Sequence, residues 1–310
     1  MPPRFFAPRY WPAWLALAVL RVIERLPYRQ LLRVGRVLGR IARHLPLHYL
    51  PIARANMRLC LPELSDDQRA ELLGRHFEAL GMSLCESAMT WWSSEERIAR
   101  LSRIEGVEHL QEAIARGRGA IVLTAHFTTL EIGARILNTA FPINVLYKPP
   151  KNELLAFIAN AHRKSYKKAE QYTTIERDDI RGMVRALRRN ECVWYAPDQA
   201  FRHKGAEMVP FFGVPAATNV ATSRLAELTG AAVLLFSHER LPGAQGYRVA
   251  ISTPLAGYPG ASAHGDALRF NHFIEDEVRR IPEQYWWIHR RFKGLTSDYP
   301  NYYGAAARRT

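Results

Sequence analysis

The apolar run Ala120–Leu123 gives way almost at once to a stretch with helical spacing, Leu130, Ala134 and Leu137. The run reads as a buried strand and the 3.6-residue recurrence as a helix that follows it directly. This junction confines the chain to an α/β arrangement. It also delivers His126, a titratable imidazole, to the carboxyl edge of the strand, where open α/β sheets bind their ligands.

Glu131 lies five positions beyond His126. On one continuous helix, residues five apart are about 500° apart around the axis and share no face. His126 must therefore precede the helix, with Thr128 as N-cap and Glu131 at the third helical position, so that the chain folds back and the two side chains meet. Two readings stay open. In one, His126 and Glu131 form a dyad: the carboxylate fixes the tautomer and stabilises the imidazolium while the other nitrogen removes a hydroxyl proton. In the other, Thr128-x-x-Glu131 is a capping box and the glutamate serves only the helix end.

From residue 119 onward strand and helix patterns alternate. Strands are expected near 120–125, 143–147, 192–196, 231–237 and 247–252, and helices near 129–138, 152–166, 178–189, 216–229 and 265–280. Such alternation predicts an α/β fold, a mixed central sheet flanked by helices. Gly117-Arg-Gly119 precedes its strand, so it is not a dinucleotide-binding loop, and neither a Gly-x-Ser-x-Gly elbow nor a phosphate-binding Gly-x4-Gly-Lys-Ser/Thr loop occurs.

Three polar segments stand where short loops would have sufficed. Tyr147-Lys-Pro-Pro150, which carries Lys148, ends the second strand. Asp198-Gln199 closes the apolar strand Cys192–Ala196; its carboxylate can orient a base or a ligand hydroxyl, or make an Asx-turn. Tyr285-Trp-Trp-Ile-His-Arg-Arg-Phe-Lys293 sets His289, Arg290 and Arg291 among aromatics. The planar forks of the arginines suit phosphate or carboxylate, and the aromatics suit acyl chains; nucleic acid could use the same chemistry.

The amino-terminal part is organised differently. Trp11–Leu20 is apolar but ends at Arg21, well short of the roughly 20 residues that span a bilayer, and no small-residue cleavage site follows it. Arg21, Arg25, Arg29, Arg33, Arg36, Arg40 and Arg43 then recur every three or four residues, opposite Leu31, Val34, Leu38, Ile41 and Leu45. Residues 1–50 are thus expected to form a membrane-associated amphipathic helical segment, interfacial in type; the alternative is a helix packed on its own domain with a solvated arginine face. Residues 51–310 form the α/β part, helical over 51–116 with its core over 117–294. Ser65-Asp-Asp-Gln68 is a capping start for a helix over Arg69–Met82, and Trp91-Trp92 ends the next helix.

A hydrophobic content of 48% excludes disorder, and a net charge of +14 points to anionic partners: nucleic acid, acidic lipid, phosphorylated substrates or an acidic carrier protein. Cys60, Cys85 and Cys192 are odd in number and far apart, which fits reduced structural thiols and neither a disulfide frame nor a zinc site.

His126-Phe-Thr-Thr-Leu-Glu131, Tyr147-Lys-Pro149, Pro197-Asp-Gln199, Val209-Pro-Phe-Phe-Gly213 and the closing Tyr285–Lys293 segment follow one another in this order. Together with Arg54-Ala-Asn-Met-Arg-Leu-Cys-Leu-Pro-Glu63 they make the chain resemble the late acyltransferases of lipid A biosynthesis, the lauroyl/myristoyl transferases, from about residue 10 to 294. The resemblance implies an inner-membrane enzyme on the cytoplasmic face. It would move an acyl chain from acyl carrier protein to a hydroxyl of a Kdo-bearing lipid A precursor, an anionic glycolipid, with no cofactor beyond the acyl-acyl carrier protein co-substrate and no metal. Carried over residue by residue, His126 is the general base and Glu131 its partner. Arg163, Lys148, Asp198, Gln199, His289, Arg290 and Arg291 form the substrate-binding set. After Gln199 the chain runs Ala-Phe-Arg-His-Lys, where some relatives continue with a shorter acidic or glycine-led loop.

A thioester leaves readily, so direct transfer is expected, without a serine or cysteine nucleophile. The alternatives are an acyltransferase acting on another glycolipid or phospholipid and, from a different class, a basic nucleic-acid-binding protein. The latter lacks a recognition motif to accompany its arginines.

Overall fold

A computed structural model describes residues 1–45, 48–147, 152–164, 174–176 and 179–304, without the side chains of 160, 163 and 164. Lys148 lies outside the described residues, as does the side chain of Arg163.

Up to residue 116 the chain runs α1 (Trp11–Glu24), α2 (Tyr28–His44), α3 (Tyr49–Cys60), α4 (Asp66–Trp92), α5 (Glu95–Arg100), β1 (Ser102–Glu105) and α6 (Val107–Ala115). Then come β2 (Ala120–Leu123), α7 (Leu130–Ala140), β3 (Asn144–Tyr147), α8 (Glu153–Lys164), β4 (Ile175–Glu176), α9 (Ile180–Arg188) and β5 (Cys192–Tyr195). The chain closes with β6 (Ala206–Phe211), β7 (Val214–Asn219), α10 (Ala221–Thr229), β8 (Ala232–Arg240), β9 (Tyr247–Ile251) and α11 (Ala263–Arg280).

The central sheet has the order β1-β9-β8-β2-β5-β3-β4, all parallel except the β8–β9 pair. Its central strands are buried on both faces, as parallel strands are. Ile121 and Leu123 of β2, with Val193 and Tyr195 of β5, pack with α3, the first half of α4, α9, α10 and α11. Ala120 and Val122, with Cys192 and Trp194, pack with α2, the second half of α4, α6 and α7. The period of two in the strands decides which side chain joins which core.

Several expectations needed correction. The stretch 52–116 is not helical throughout: Ser102–Glu105 pairs with β9 as an edge strand. The helix expected over 216–229 starts only at Ala221, because residues 214–219 pair with β6 as a hairpin through Phe212-Gly213. Helix α4 runs unbroken from Asp66 to Trp92 instead of stopping at Met82. It does begin at the anticipated capping box: the Gln68 N–H donates to Ser65 Oγ at 3.2 Å and the Ser65 N–H to Gln68 Oε1 at 2.7 Å.

Within residues 1–50, α1 and α2 are separated by Arg25-Leu26-Pro27. In α2 the buried positions are Tyr28, Leu31, Leu32, Gly35 and Gly39, turned toward α4. Val37, Leu38, Ile41 and Leu45 stay exposed, and so do Trp11, Leu15, Val19 and Val22 on one side of α1. Among the described residues, no helix is long and apolar enough to cross a membrane.

Candidate active site

β2 and β5 are neighbours in register, Leu123 opposite Tyr195, and the Thr124 N–H extends the ladder to the Tyr195 carbonyl at 3.1 Å. His126 and Asp198 each stand three residues past that pair. Beyond the strands the chain leaves β2 for α7 and β5 for the β6–β7 hairpin, so the segments that carry His126 and Asp198 lie side by side at the carboxyl ends of the two strands, the edge at which open α/β sheets bind ligands.

The two side chains meet at this edge of the sheet. His126 Nδ1–H donates to Asp198 Oδ1 at 2.5 Å, and the His126 backbone N–H donates to Asp198 Oδ2 at 2.9 Å. Asp198 is buried, with 2% of its side chain exposed, whereas His126 keeps 25% open. Burial alone would depress the His126 pKa. The Asp198 charge and hydrogen bond outweigh it and lift the value above the ordinary 6.5, with Glu131 adding in the same direction. Burial would raise Asp198, but the imidazole and, more weakly, Arg291 hold it below the usual carboxylate range. A carboxylate that fixes the Nδ1–H tautomer leaves Nε2 as the nitrogen that accepts a proton.

Glu131 occupies a different place from the one its spacing suggested. The N-cap of α7 is Thr129, not Thr128, and no side chain caps this end, so the capping box does not form. Glu131 sits exposed in the first turn and acts on His126 through charge; the Nδ1 hydrogen bond belongs to Asp198.

The closing segment braces this pair. Trp286 N–H donates to the His126 carbonyl at 2.9 Å and Thr128 N–H to the Gln284 carbonyl at 2.7 Å, so residues 284–286 zip onto the His126 turn. The Gln284 side-chain amide bonds both the N–H and the carbonyl of Arg240, whose guanidinium makes a two-pronged ion pair with buried Glu86. Asn56, within the Arg54–Glu63 segment, donates to the carbonyls of Trp287 and His289 at 2.6 and 2.7 Å and accepts from Tyr303.

Within this segment the expected binding residues divide. His289 Nε2 accepts the Ala200 N–H at 3.1 Å, and burial drops its pKa to about 3, so it is a neutral acceptor that steadies the Asp198-Gln199 loop. Arg291 is buried, donates to the Ala217 carbonyl and Thr218 Oγ1, and lies 5.1 Å over the Phe211 ring, joining β7 to the closing segment. Arg290 is also buried, and Gln199 is half-buried beside Asp198. Sequence reading passed over Asn56, Glu86, His238, Arg240 and Gln284. The one signal for His238 and Arg240 was the polar run Ser-His-Glu-Arg at the end of an otherwise apolar strand.

The family model for bacterial lipid A biosynthesis acyltransferases matches residues 2–294. The chain is 38% identical to the lipid A biosynthesis palmitoleoyltransferase of Escherichia coli strain K12 over 290 residues, 93% of each chain. It is 35% identical to the lauroyltransferase of the same strain over 297 residues, 96% of each chain. A lipid A biosynthesis acyltransferase of Haemophilus influenzae is 35% identical over 295 residues, 94% of this chain and 93% of the relative. With the His126–Asp198 pair seated at the sheet edge, these matches establish that the chain belongs to the bacterial lipid A biosynthesis acyltransferases.

Proposed function

We propose that the enzyme transfers a fatty acyl chain from acyl carrier protein to a hydroxyl of a Kdo-bearing lipid A precursor by general-base catalysis, without a covalent enzyme intermediate. The observation that carries this reading is the hydrogen-bonded His126–Asp198 pair at the carboxyl edge of β2 and β5. His126 Nε2 takes the acceptor hydroxyl proton, the oxygen attacks the thioester carbonyl, and the thiolate departs. Glu131 is the second carboxylate, its charge favouring the imidazolium as it forms. The positive end of α7 starts beside the His126 turn and supports stabilisation of the tetrahedral oxyanion. Lys148 and Arg163 are proposed to meet anionic parts of the substrates.

Direct transfer is supported by the state of the thiols. Cys60, Cys85 and Cys192 are buried. Burial pushes all three up, Cys85 to about 11 and the others further, so none is a ready nucleophile. An interfacial position is supported by the exposed apolar faces of α1 and α2 beside Arg29, Arg33 and Arg40, and we assign it to the cytoplasmic face of the inner membrane as part of the same proposal. The net charge of +14 suits both an acidic carrier and an anionic glycolipid.

The test offers the purified protein acyl-acyl carrier protein with a Kdo-bearing lipid A precursor, or with phospholipid acceptors, and follows products by mass spectrometry. Acylation of the lipid A precursor alone, lost in His126→Ala, is the expected result. An acyl adduct on a cysteine or serine, or equal use of phospholipid, overturns the reading.

A further inference from the structure

His238 is a buried imidazole that the mechanism does not use. Strand β8 pairs with β2 on the side opposite β5, with Leu235 opposite Leu123. His238 therefore stands three residues past that pair, level with His126 and Asp198 across three adjacent strands. Its ring touches both ends of the turn that carries His126. Nε2–H donates to the Ala125 carbonyl at 3.3 Å, and Nδ1 accepts the Thr129 hydroxyl at 2.8 Å, a hydroxyl that also lies 3.2 Å from the His238 carbonyl. The Phe127 ring packs edge-on against the imidazole, 5.8 Å between centroids. Residues 125, 127 and 129 are thus all held from one side by a single ring.

The surroundings fit the ring and keep it in the form that makes both bonds. A Cβ on Gly133, in the first turns of α7, would stand 2.9 Å from His238 Cβ and 3.0 Å from Cγ, so the bare glycine gives the imidazole its berth. Burial drives the His238 pKa to about 4, with the His126 charge pushing the same way. The ring therefore stays neutral, with one donor and one acceptor, across ordinary pH.

We infer that His238 is a positioning residue for acyl transfer: it staples Ala125 to Thr129 and so fixes the direction in which His126 presents Nε2 to the acceptor hydroxyl. The inference rests on His126 as the general base. Misplacement of a catalytic group by an ångström costs on the order of 10²-fold in rate, whereas substrate binding needs no such alignment.

The experiment measures kcat, KM and thermal midpoint for acyl transfer to the lipid A precursor in five variants: His238→Phe, His238→Gln, Thr129→Val, the Thr129→Val/His238→Phe double, and His126→Ala. His238→Phe keeps a ring in the berth but loses both bonds. It should lower kcat by roughly 10²-fold with KM within about twofold. Thr129→Val removes one arm of the staple, so it should cost less, and almost nothing more in the His238→Phe background. His238→Gln, whose amide can reach the Ala125 carbonyl, should recover part of the loss.

Wild-type kcat in His238→Phe, or the same Thr129→Val penalty in both backgrounds, overturns the staple. Should His238→Phe fail to fold, Thr129→Val with wild-type kcat overturns it equally. A fully active His126→Ala would instead remove the general-base reading on which the staple depends.

Discussion

Asp198 accepts two hydrogen bonds from His126, one from the ring Nδ1–H and one from the backbone N–H, and so fixes both the tautomer and the position of the imidazole. The carboxylate stabilises the charged ring, so His126 titrates above the ordinary histidine value of 6.5. A general base works only when unprotonated. The acid limb of kcat/KM should therefore have its midpoint above 6.5, with activity rising as pH rises through it. Asp198→Asn removes the charge that holds the proton on. It should move this limb to lower pH while reducing kcat by on the order of 10²- to 10⁴-fold through loss of the correct tautomer. A limb that moves up, or stays in place, would show that the pair does not set the titration of the base.

Glu131 lends itself to a cleaner substitution than its sequence context suggested. Thr129 caps α7 without side-chain help and no capping box forms there, so Glu131→Gln removes charge without removing a helix cap. The fold should persist. Glu131 is the smallest of the contributions that raise the His126 pKa, so the acid limb should move down by less than in Asp198→Asn. Activity should fall roughly tenfold or more if its charge assists the imidazolium in the transition state. Full activity in a folded Glu131→Gln protein would reduce Glu131 to a surface residue.

How these two carboxylates were visible in the sequence differs for a physical reason. Glu131 is five positions from His126, and local spacing brings it to notice. Asp198 is 72 positions away and reaches the ring only because β5 inserts beside β2 with Leu123 opposite Tyr195. Strand order and register are properties of the assembled sheet, and no local period encodes them. The strands at the site were legible as short continuous apolar runs, and the helices around it because their apolar residues recur with period 3.6. What was missed carried little apolar signal. Strand β1, Ser-Arg-Ile-Glu, alternates over only four residues at the sheet edge. Residues 216–219 look neutral in isolation and become strand because β6 pairs with them.

The Glu86–Arg240 ion pair supports the site from the core. Both side chains are almost fully buried, the Tyr247 hydroxyl adds a third bond to Glu86, and the Arg240 backbone holds Gln284. Glu86→Gln would leave a buried guanidinium facing a neutral amide. Losing one partner of such a pair costs about 3–5 kcal/mol, so urea denaturation should show a large drop in midpoint at neutral pH. Arg240→Met in the Glu86→Gln background should regain part of the loss, because it removes the uncompensated charge. No recovery in the double variant would mean that the cost lies in packing and not in the charge.

Helices α2 and α4 approach each other so closely that side chains are excluded at the crossing. A Cβ on Gly39 would stand 2.1 Å from the Phe77 carbonyl oxygen, and one on Gly81 would stand 2.1 Å from the Gly35 carbonyl oxygen. Both obstacles are backbone atoms, which cannot swing aside as a side chain could, so the helices must separate to admit even one methyl group. Leu31 and Leu32 of α2 and Met82 of α4 are buried at this contact and would lose packing as the gap widened. Gly39→Val and Gly81→Val should each destabilise the protein by roughly 1–3 kcal/mol, an overpacking cost that outweighs the helix propensity gained by replacing glycine. Hydrogen exchange locates the effect: amides of residues 28–44 should lose protection first, while those of β2 and β5 keep theirs. Unchanged protection across α2 in a folded Gly39→Val protein would show that the two helices are not held together by this contact.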